Sequence, residues 1–332
     1  MPNTVLVTGP NLAPAAVSAL QAAGYRPVFL PAYTDEAGLL SAVIENEPVG
    51  IISRMGKISG MVLEAAPTLR VISKHGVGVD NIDVEAASRR GVPVVVASGA
   101  NAISVAEHTI ALLLAVAKRI TSLDRGLREG RWEKPGYSGR EIAGSKMGLI
   151  GFGAIAQQTA RLAKVFDVEL FAYDPFPPRQ AFDDASVHRV EHLDELVATC
   201  DVVSLHCPLT PETMGLINAA RLSQMRSDAI LINTARGGLI DEEALADALA
   251  SGRIAGAGLD TFAQEPPRHD HPFFREPRAV LTPHIGGVTE AANARVGVEA
   301  AQGIIEVLAG RSLPEGRIVN IKRLARLEQG TY

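Results

Sequence analysis

Cysteine is almost missing from this chain, with only Cys200 and Cys207 in 332 residues. Two thiols at that spacing build no disulfide framework and match no metal-ligand pattern, so no metal is expected and the reading is a reducing, cytoplasmic setting. Long hydrophobic runs are missing as well. The longest uncharged apolar stretch, 109–117, stops at Lys118, far short of the roughly 20 residues a membrane-spanning helix needs, so no membrane role is expected. Neither sign of charge dominates: 32 basic residues stand against 37 acidic ones for a net charge of −5. The bases are scattered, which leaves no footprint for nucleic acid or anionic lipid. The first residues, MPNTVLVTG, enter a strand pattern directly and lack the basic-then-apolar order of a secretory leader. Internal repeats and low-complexity segments are absent too.

What the chain does have is an ordinary globular balance, 47% hydrophobic and 21% charged, and length enough for two domains. Short apolar runs at 5–7, 28–30, 51–52, 71–73 and 92–97 alternate with helical patterns at 15–23, 36–46 and 58–65. Strand and helix taking turns predict a parallel sheet covered on both faces. A long helix follows over 101–118, with Ile103, Ala106, Ile110, Leu114 and Ala117 on one face and Ser104, Glu107 and Lys118 off it. The polar stretch 125–145, holding the only tryptophan, Trp132, reads as an excursion serving either as an oligomer contact or as a plain surface loop.

The alternation resumes at Lys146, with strands expected at 147–150, 168–173, 202–205, 230–233, 255–259 and 280–282 and helices at 194–198, 218–225 and 242–251. A second long helix, 289–309, precedes a polar tail, 312–332. The two long helices bracket the second series. The simplest arrangement therefore inserts 101–289 into a first domain made of 1–100 and 290–332, and two chain crossings imply a hinge.

The second series opens on KMGLIGFGAIAQQTARLAKVFDVELFAYDP, a strand, a Gly151-Phe152-Gly153-Ala154-Ile155-Ala156 turn, a helix and a second strand ending at Asp174. Gly151 permits the tight turn and Gly153 lets a pyrophosphate approach the backbone, while the helix N-terminus offers unpaired N–H groups and partial positive charge. Asp174 lies 23 residues after Gly151, the distance at which an acid holds an adenosine ribose. The unit reads as a dinucleotide cradle. A carboxylate at 174 would repel a 2′-phosphate, so NAD is expected over NADP.

Ligands of an open parallel sheet sit beyond the carboxyl ends of its strands. There the chain places Thr234-Ala235-Arg236-Gly237-Gly238, then Asp260 and Glu265-Pro266-Pro267, then Pro283-His284-Ile285-Gly286-Gly287. Each alone has a plain alternative: a surface arginine, a loop acid, a packed histidine. On one rim they answer three demands of hydride exchange at a carbinol carbon. An imidazole near neutrality moves the proton, a carboxylate on its other nitrogen holds the ring and favours its charged form, and a guanidinium clamps a substrate carboxylate with paired bonds.

The segments KHGVGVDNID, GLIGFGAIAQQTA with YDP, SLHCPLTPETMGLIN, LINTARGGLIDEEAL, AGAGLDTFAQEPP and LTPHIGG resemble the D-isomer-specific 2-hydroxyacid dehydrogenases, most of all their phosphoglycerate dehydrogenase and hydroxypyruvate reductase branch. The resemblance runs from Arg54 to about Val319. It implies an α/β fold of two doubly wound parallel-sheet domains, a Rossmann NAD-binding domain inserted into a flavodoxin-like substrate (lid) domain. It implies a cytoplasmic homodimer that exchanges hydride between NAD(H) and a small 2-hydroxy or 2-oxo acid. His284 would be the acid/base, Glu265 its partner, and Arg236 the ligand of the substrate carboxylate and carbonyl. NAD would touch Ala154 and Ile155 at the phosphates, Asp174 at the ribose, Cys207 and Pro208 near the adenine, Thr234 and Ala235 by the nicotinamide ribose, Asp260 at the carboxamide, and Gly286 nearby. The Val77 and Gly78 backbone would hold the substrate carboxylate, with Arg54 as a candidate for a second acid group and Lys74 a weaker one.

Departures from the pattern count too. Val77 stands where close phosphoglycerate relatives often carry threonine, and the chain stops near residue 332 without the regulatory domains of many of them, so serine feedback is not expected. Two rival readings remain: formate dehydrogenase, whose branch replaces the histidine–glutamate pair, and an NAD(H)-sensing scaffold of corepressor type, for which no partner motif is visible.

Overall fold

Near-continuous apolar runs of four or five residues are what strands buried on both faces require. The computed structural model, which describes residues 3–177, 179–314 and 316–328, forms them in two compact units. One runs to Asn101 and resumes at Val288; the other is Ala102–Gly287. Residues 1, 2 and 329–332 of the expected first domain, and Glu315 of the expected tail, lie outside the described residues.

In the first unit the described residues give five strands, β1 (Thr4–Val7), β2 (Arg26–Phe29), β3 (Gly50–Ser53), β4 (Val71–Lys74) and β5 (Val94–Val96), paired in parallel in the order β2-β1-β3-β4-β5. Period-two alternation divides their side chains between two cores. Leu6, Ile51 and Ile72 pack with Val43, Val62 and Leu63, whereas Val5, Val7, Ile52 and Val71 pack with Leu20, Ala300 and Ile304. The helix Glu290–Leu308 thus returns the distant end of the chain to the sheet, its N-terminus capped by the Thr289 hydroxyl. The expected polar tail is in part structural. Val96 donates to the Arg317 carbonyl and Val319 to the Val94 carbonyl, so residues 317–320 line β5, and the helix Ile321–Glu328 follows. Sparse apolar content hid this segment, because backbone bonds and the Asn320 side chain hold it, with only scattered apolar contacts such as Ile318.

In the second unit seven strands are described: β6 (Lys146–Ile150), β7 (Glu169–Tyr173), β8 (His188–Arg189), β9 (Val202–Leu205), β10 (Ile230–Asn233), β11 (Gly256–Leu259) and β12 (Ala279–Leu281). All pair in parallel in the order β12-β11-β10-β9-β6-β7-β8. The chain leaves β6 toward β7 on one side and later returns to β9 on the other. That reversal makes the carboxyl end of β6 a topological switch point, where such sheets bind ligands.

Two expectations need correction. The stretch 125–145 is not a plain excursion: a helix, Ile120–Arg128, occupies its start, and Ile142, 6% exposed, belongs to a hydrophobic core. The long helix, observed as Ala102–Ala117, buries Ala106, Ile110 and Ala117 as its pattern indicated but departs from it at the start, where Ile103 is 43% exposed and Ser104 only 4%. A helix this apolar all round carries too weak an asymmetry for periodicity to orient it.

Candidate active site

The cradle is built by backbone geometry. Gly151 has φ of +89°, and a Cβ there would stand 2.7 Å from the Cys207 nitrogen and 2.8 Å from the His206 carbonyl carbon. Left-handed backbone and direct contact with the neighbouring strand's exit together demand glycine. At Gly153 the reverse holds. A Cβ would meet no atom within 4 Å, and the residue caps the helix Ala154–Lys164 without any side-chain cap bond. Among the described residues no side-chain cap bond takes up the first N–H groups of that helix, around Ala154 and Ile155, which suits the pyrophosphate of a dinucleotide. At the end of β7, Asp174 accepts from the Phe152 N–H at 2.7 Å with one oxygen and from the Phe176 N–H at 3.0 Å with the other. Both oxygens keep lone pairs for ribose hydroxyls. Burial, aided by the Asp174 charge, pushes the Cys207 thiol up to about 11, so beside Pro208 it presents a neutral wall.

The rim beyond β10, β11 and β12 carries the side chains expected to react, Arg236, Glu265 and His284. Asn233, fully buried, folds its own turn: its amide donates to the Arg236 carbonyl at 2.8 Å and its oxygen accepts from the Ala235 N–H at 3.0 Å. Thr234 is tied to Thr109 at 2.9 Å. The Arg236 guanidinium donates to the Ala235 carbonyl at 2.6 Å. Next to it, a Cβ on Gly237 would fall 1.9 Å from the Phe262 carbonyl carbon, so the loops after β10 and β11 touch backbone to backbone. Glu265 closes the second loop by accepting from the Phe262 N–H at 3.1 Å.

The third loop completes the constellation: His284 Nδ1 lies 2.7 Å from Glu265 Oε2. Burial pushes the Glu265 carboxyl up. The His284 hydrogen bond, the Phe262 N–H and the charges of His284 and Arg236 outweigh it and hold the group below the usual carboxylate range. Glu265 is thus ionised at neutral pH and acts as acceptor, which puts a proton on Nδ1 and leaves Nε2 to exchange one. His284 also has φ of +54°, an uncommon backbone for a side-chain-bearing residue that costs on the order of 1–3 kcal/mol and concentrates at functional sites. Its N–H is anchored on the Asp260 carbonyl at 2.8 Å.

Asp260 itself is 1% exposed. Burial raises its carboxyl, but His108, the Thr282 hydroxyl and the Ile285 and Gly286 N–H groups bring it below the ordinary range. Its oxygens accept from Ile285 at 2.9 Å and Gly286 at 2.8 Å, so the structure places Asp260 beneath the His284 loop, with Gly286 among its partners. Ser104 and His108 on the helix Ala102–Ala117 also reach this loop, at Gly286 and Thr282 respectively. Sequence reading missed both. The one available signal was Ser104 and His108 four apart, on one side of a largely apolar helix.

In the first unit Arg54 is fixed by its N–H on Thr8 at 2.9 Å and by its guanidinium on Asn11, and burial lowers its pKa. Lys74 donates to Asn81 at 2.7 Å. His75, driven down to about 4 by burial and then by the Arg54 charge, is neutral at physiological pH. Val77, 43% exposed, and Gly78 lie in the loop after β4, where Gly76 has φ of +141°.

Residues 110–286 match the family model described as "D-isomer specific 2-hydroxyacid dehydrogenase, NAD binding domain". The chain is 40% identical over 322 residues to a D-3-phosphoglycerate dehydrogenase of Mycobacterium bovis, covering 95% of this chain and 60% of that one. It is 40% identical over 271 residues to a hydroxypyruvate reductase of Thermotoga maritima, covering 81% and 87%. Among solved structures, a glyoxylate reductase from Paecilomyes thermophila superposes with a TM-score of 0.86 at 26% identity over 97% of this chain and all of that one. The chain spans 51% to 60% of the length of the first phosphoglycerate dehydrogenases it matches.

Proposed function

Because this chain belongs to the D-isomer specific 2-hydroxyacid dehydrogenases, we propose that it interconverts a small 2-oxo acid and the corresponding 2-hydroxy acid with NAD(H). The observation that carries the reading is the 2.7 Å contact between His284 Nδ1 and Glu265 Oε2, on the rim shared with Arg236. NADH, when bound, supplies the hydride that adds to the carbonyl carbon. The residues of this chain do the rest. Arg236 pairs with the carboxylate and polarises the carbonyl. His284, protonated on both nitrogens, donates from Nε2 to the carbonyl oxygen as it becomes an alkoxide, and takes the proton back in the reverse direction. Glu265 stays charged, orients the ring and stabilises its cationic form. The open space at Gly153, the uncapped helix start at Ala154 and Ile155, and Asp174 fit the dinucleotide, and the carboxylate favours NAD over NADP.

In the first unit, Val77 and Gly78 are assigned to the substrate carboxylate and Arg54 to a second acidic group. A cytoplasmic homodimer is part of the same proposal. Exposed Ile120, Leu127 and Trp132, at 52%, 58% and 71%, support self-association, and light scattering tests it.

The experiment is NADH consumption with glyoxylate, hydroxypyruvate and 2-oxo acids bearing phosphate or sulfonate groups, repeated with NADPH. Turnover of at least one 2-oxo acid with NADH is expected. Tight NADH binding without any turnover would restore the scaffold reading, and oxidation of formate alone would restore formate dehydrogenase.

A further inference from the structure

We propose that His108 is a positioning residue for His284, acting through Thr282 and Asp260; this rests on the role given to His284 above. The need for such a residue is visible in the loop. The His284 side chain is 46% exposed and sits on a left-handed backbone, so its place depends on how firmly residues 282–286 are held rather than on packing around the ring. Asp260 holds them from below. Its Oδ1 accepts from the Thr282 hydroxyl at 2.6 Å and from the Ile285 N–H at 2.9 Å, and its Oδ2 accepts from the Gly286 N–H at 2.8 Å.

His108 closes this arrangement. Its Nε2 lies 2.9 Å from the Thr282 oxygen and 3.3 Å from Asp260 Oδ1. The Thr282 hydroxyl has a single proton and spends it on Asp260, so toward His108 its oxygen can only accept. Nε2 therefore carries a proton and shares it between the threonine oxygen and the carboxylate. One helical turn earlier Ser104 donates to the Gly286 carbonyl at 2.7 Å. The helix Ala102–Ala117 thus grips the loop at both ends, at Thr282 and at Gly286, with His284 midway. Ser104 is buried in the core. The His108 side chain is only 19% exposed, so a replacement that tests its hydrogen bonds has to keep its bulk.

The test compares His108→Leu, which keeps bulk and removes the donor, with His108→Gln, which restores an N–H. In His108→Leu, kcat for reduction of a 2-oxo acid is expected to fall by about tenfold or more, as loss of an outer partner does at well-ordered sites. The KM for NADH should change less than about twofold, and His108→Gln should recover most of kcat. A second readout needs no turnover. In the ligand-free protein, hydrogen exchange at the Ile285 and Gly286 amides should quicken in His108→Leu and return toward wild type in His108→Gln. Thr282→Val should reproduce the exchange signature if the leucine variant fails to fold. Unchanged exchange at those two amides overturns the inference, as does equal loss of kcat in both His108 variants. A wild-type protein that turns over no 2-oxo acid sinks the functional reading instead, and amide exchange then decides the His108 linkage by itself.

Discussion

At His284 the chemistry and the backbone pull against each other, and this decides which substitution informs. Alanine would lose the imidazole and also sit badly at φ of +54°, whereas asparagine tolerates left-handed backbone. His284→Asn should therefore keep the melting temperature and NADH fluorescence binding near wild type while kcat falls by about 10²–10⁴; kcat within tenfold of wild type would remove His284 from the proton's path. Glu265 makes a pH prediction. Its carboxyl is held below the usual range, so the stabilisation from its bonds to His284 and Phe262 is full above the unfolded pKa, near 4.5, and is lost as pH falls through the lower folded value. Urea midpoints at pH 7 and pH 4 should differ less in Glu265→Gln than in wild type, and an equal difference would mean that the ion pair adds nothing to the fold. These side chains were legible because each follows an apolar strand, where a polar residue stands out. Ser104 and His108 were not, since the helix around them is apolar on nearly every side.

Elements were legible where apolar runs are continuous and illegible where backbone bonds alone define them. Strands β1, β3, β6, β9 and β10 are almost wholly buried, and their runs of Val, Ile and Leu marked them. The two-residue edge strand β8 and the six-residue helices Val84–Arg89 and Arg179–Asp184 are too short for a periodic pattern to repeat twice. The strand–turn–helix from β6 separates structural from ligand-directed glycine. Gly151→Ala forces a side chain into left-handed backbone at about 1–2 kcal/mol and drives its Cβ to 2.7 Å from the Cys207 nitrogen, so urea stability and NAD binding should fall together. Gly153→Ala meets ordinary φ of −79° and empty space. It should leave the urea midpoint unchanged and weaken NAD binding by about tenfold or more, since the methyl occupies the approach to the helix N-terminus. Equal NAD affinity in Gly153→Ala and wild type, measured by calorimetry, would place the pyrophosphate elsewhere.

For the molecule as a whole, the consequence of inserting one unit into the other is that the first depends on chain segments more than 200 residues apart in sequence, as with Val94 and Asn320. Asn320 is 2% exposed and saturated: its oxygen accepts from the Val94 N–H at 2.9 Å, and its amide donates to the Ser88 hydroxyl at 3.1 Å and the Val92 carbonyl at 3.0 Å. It fastens the returning chain along β5, where the sheet edge would otherwise expose unpaired groups. Asn320→Ala leaves the Val94 N–H and the Val92 carbonyl buried without these partners, at a cost of about 2–3 kcal/mol. NAD bound to the second unit stabilises what it binds by mass action, about 2.7 kcal/mol at a hundredfold excess over Kd. Hydrogen exchange separates the two effects. In Asn320→Ala, amides of β4 and β5 should lose protection whether or not NAD is present, while amides of β6 and β9 keep the protection NAD confers. If β6 and β9 loosen to the same degree as β5, the two units unfold as one cooperative body and the inserted arrangement carries no energetic independence.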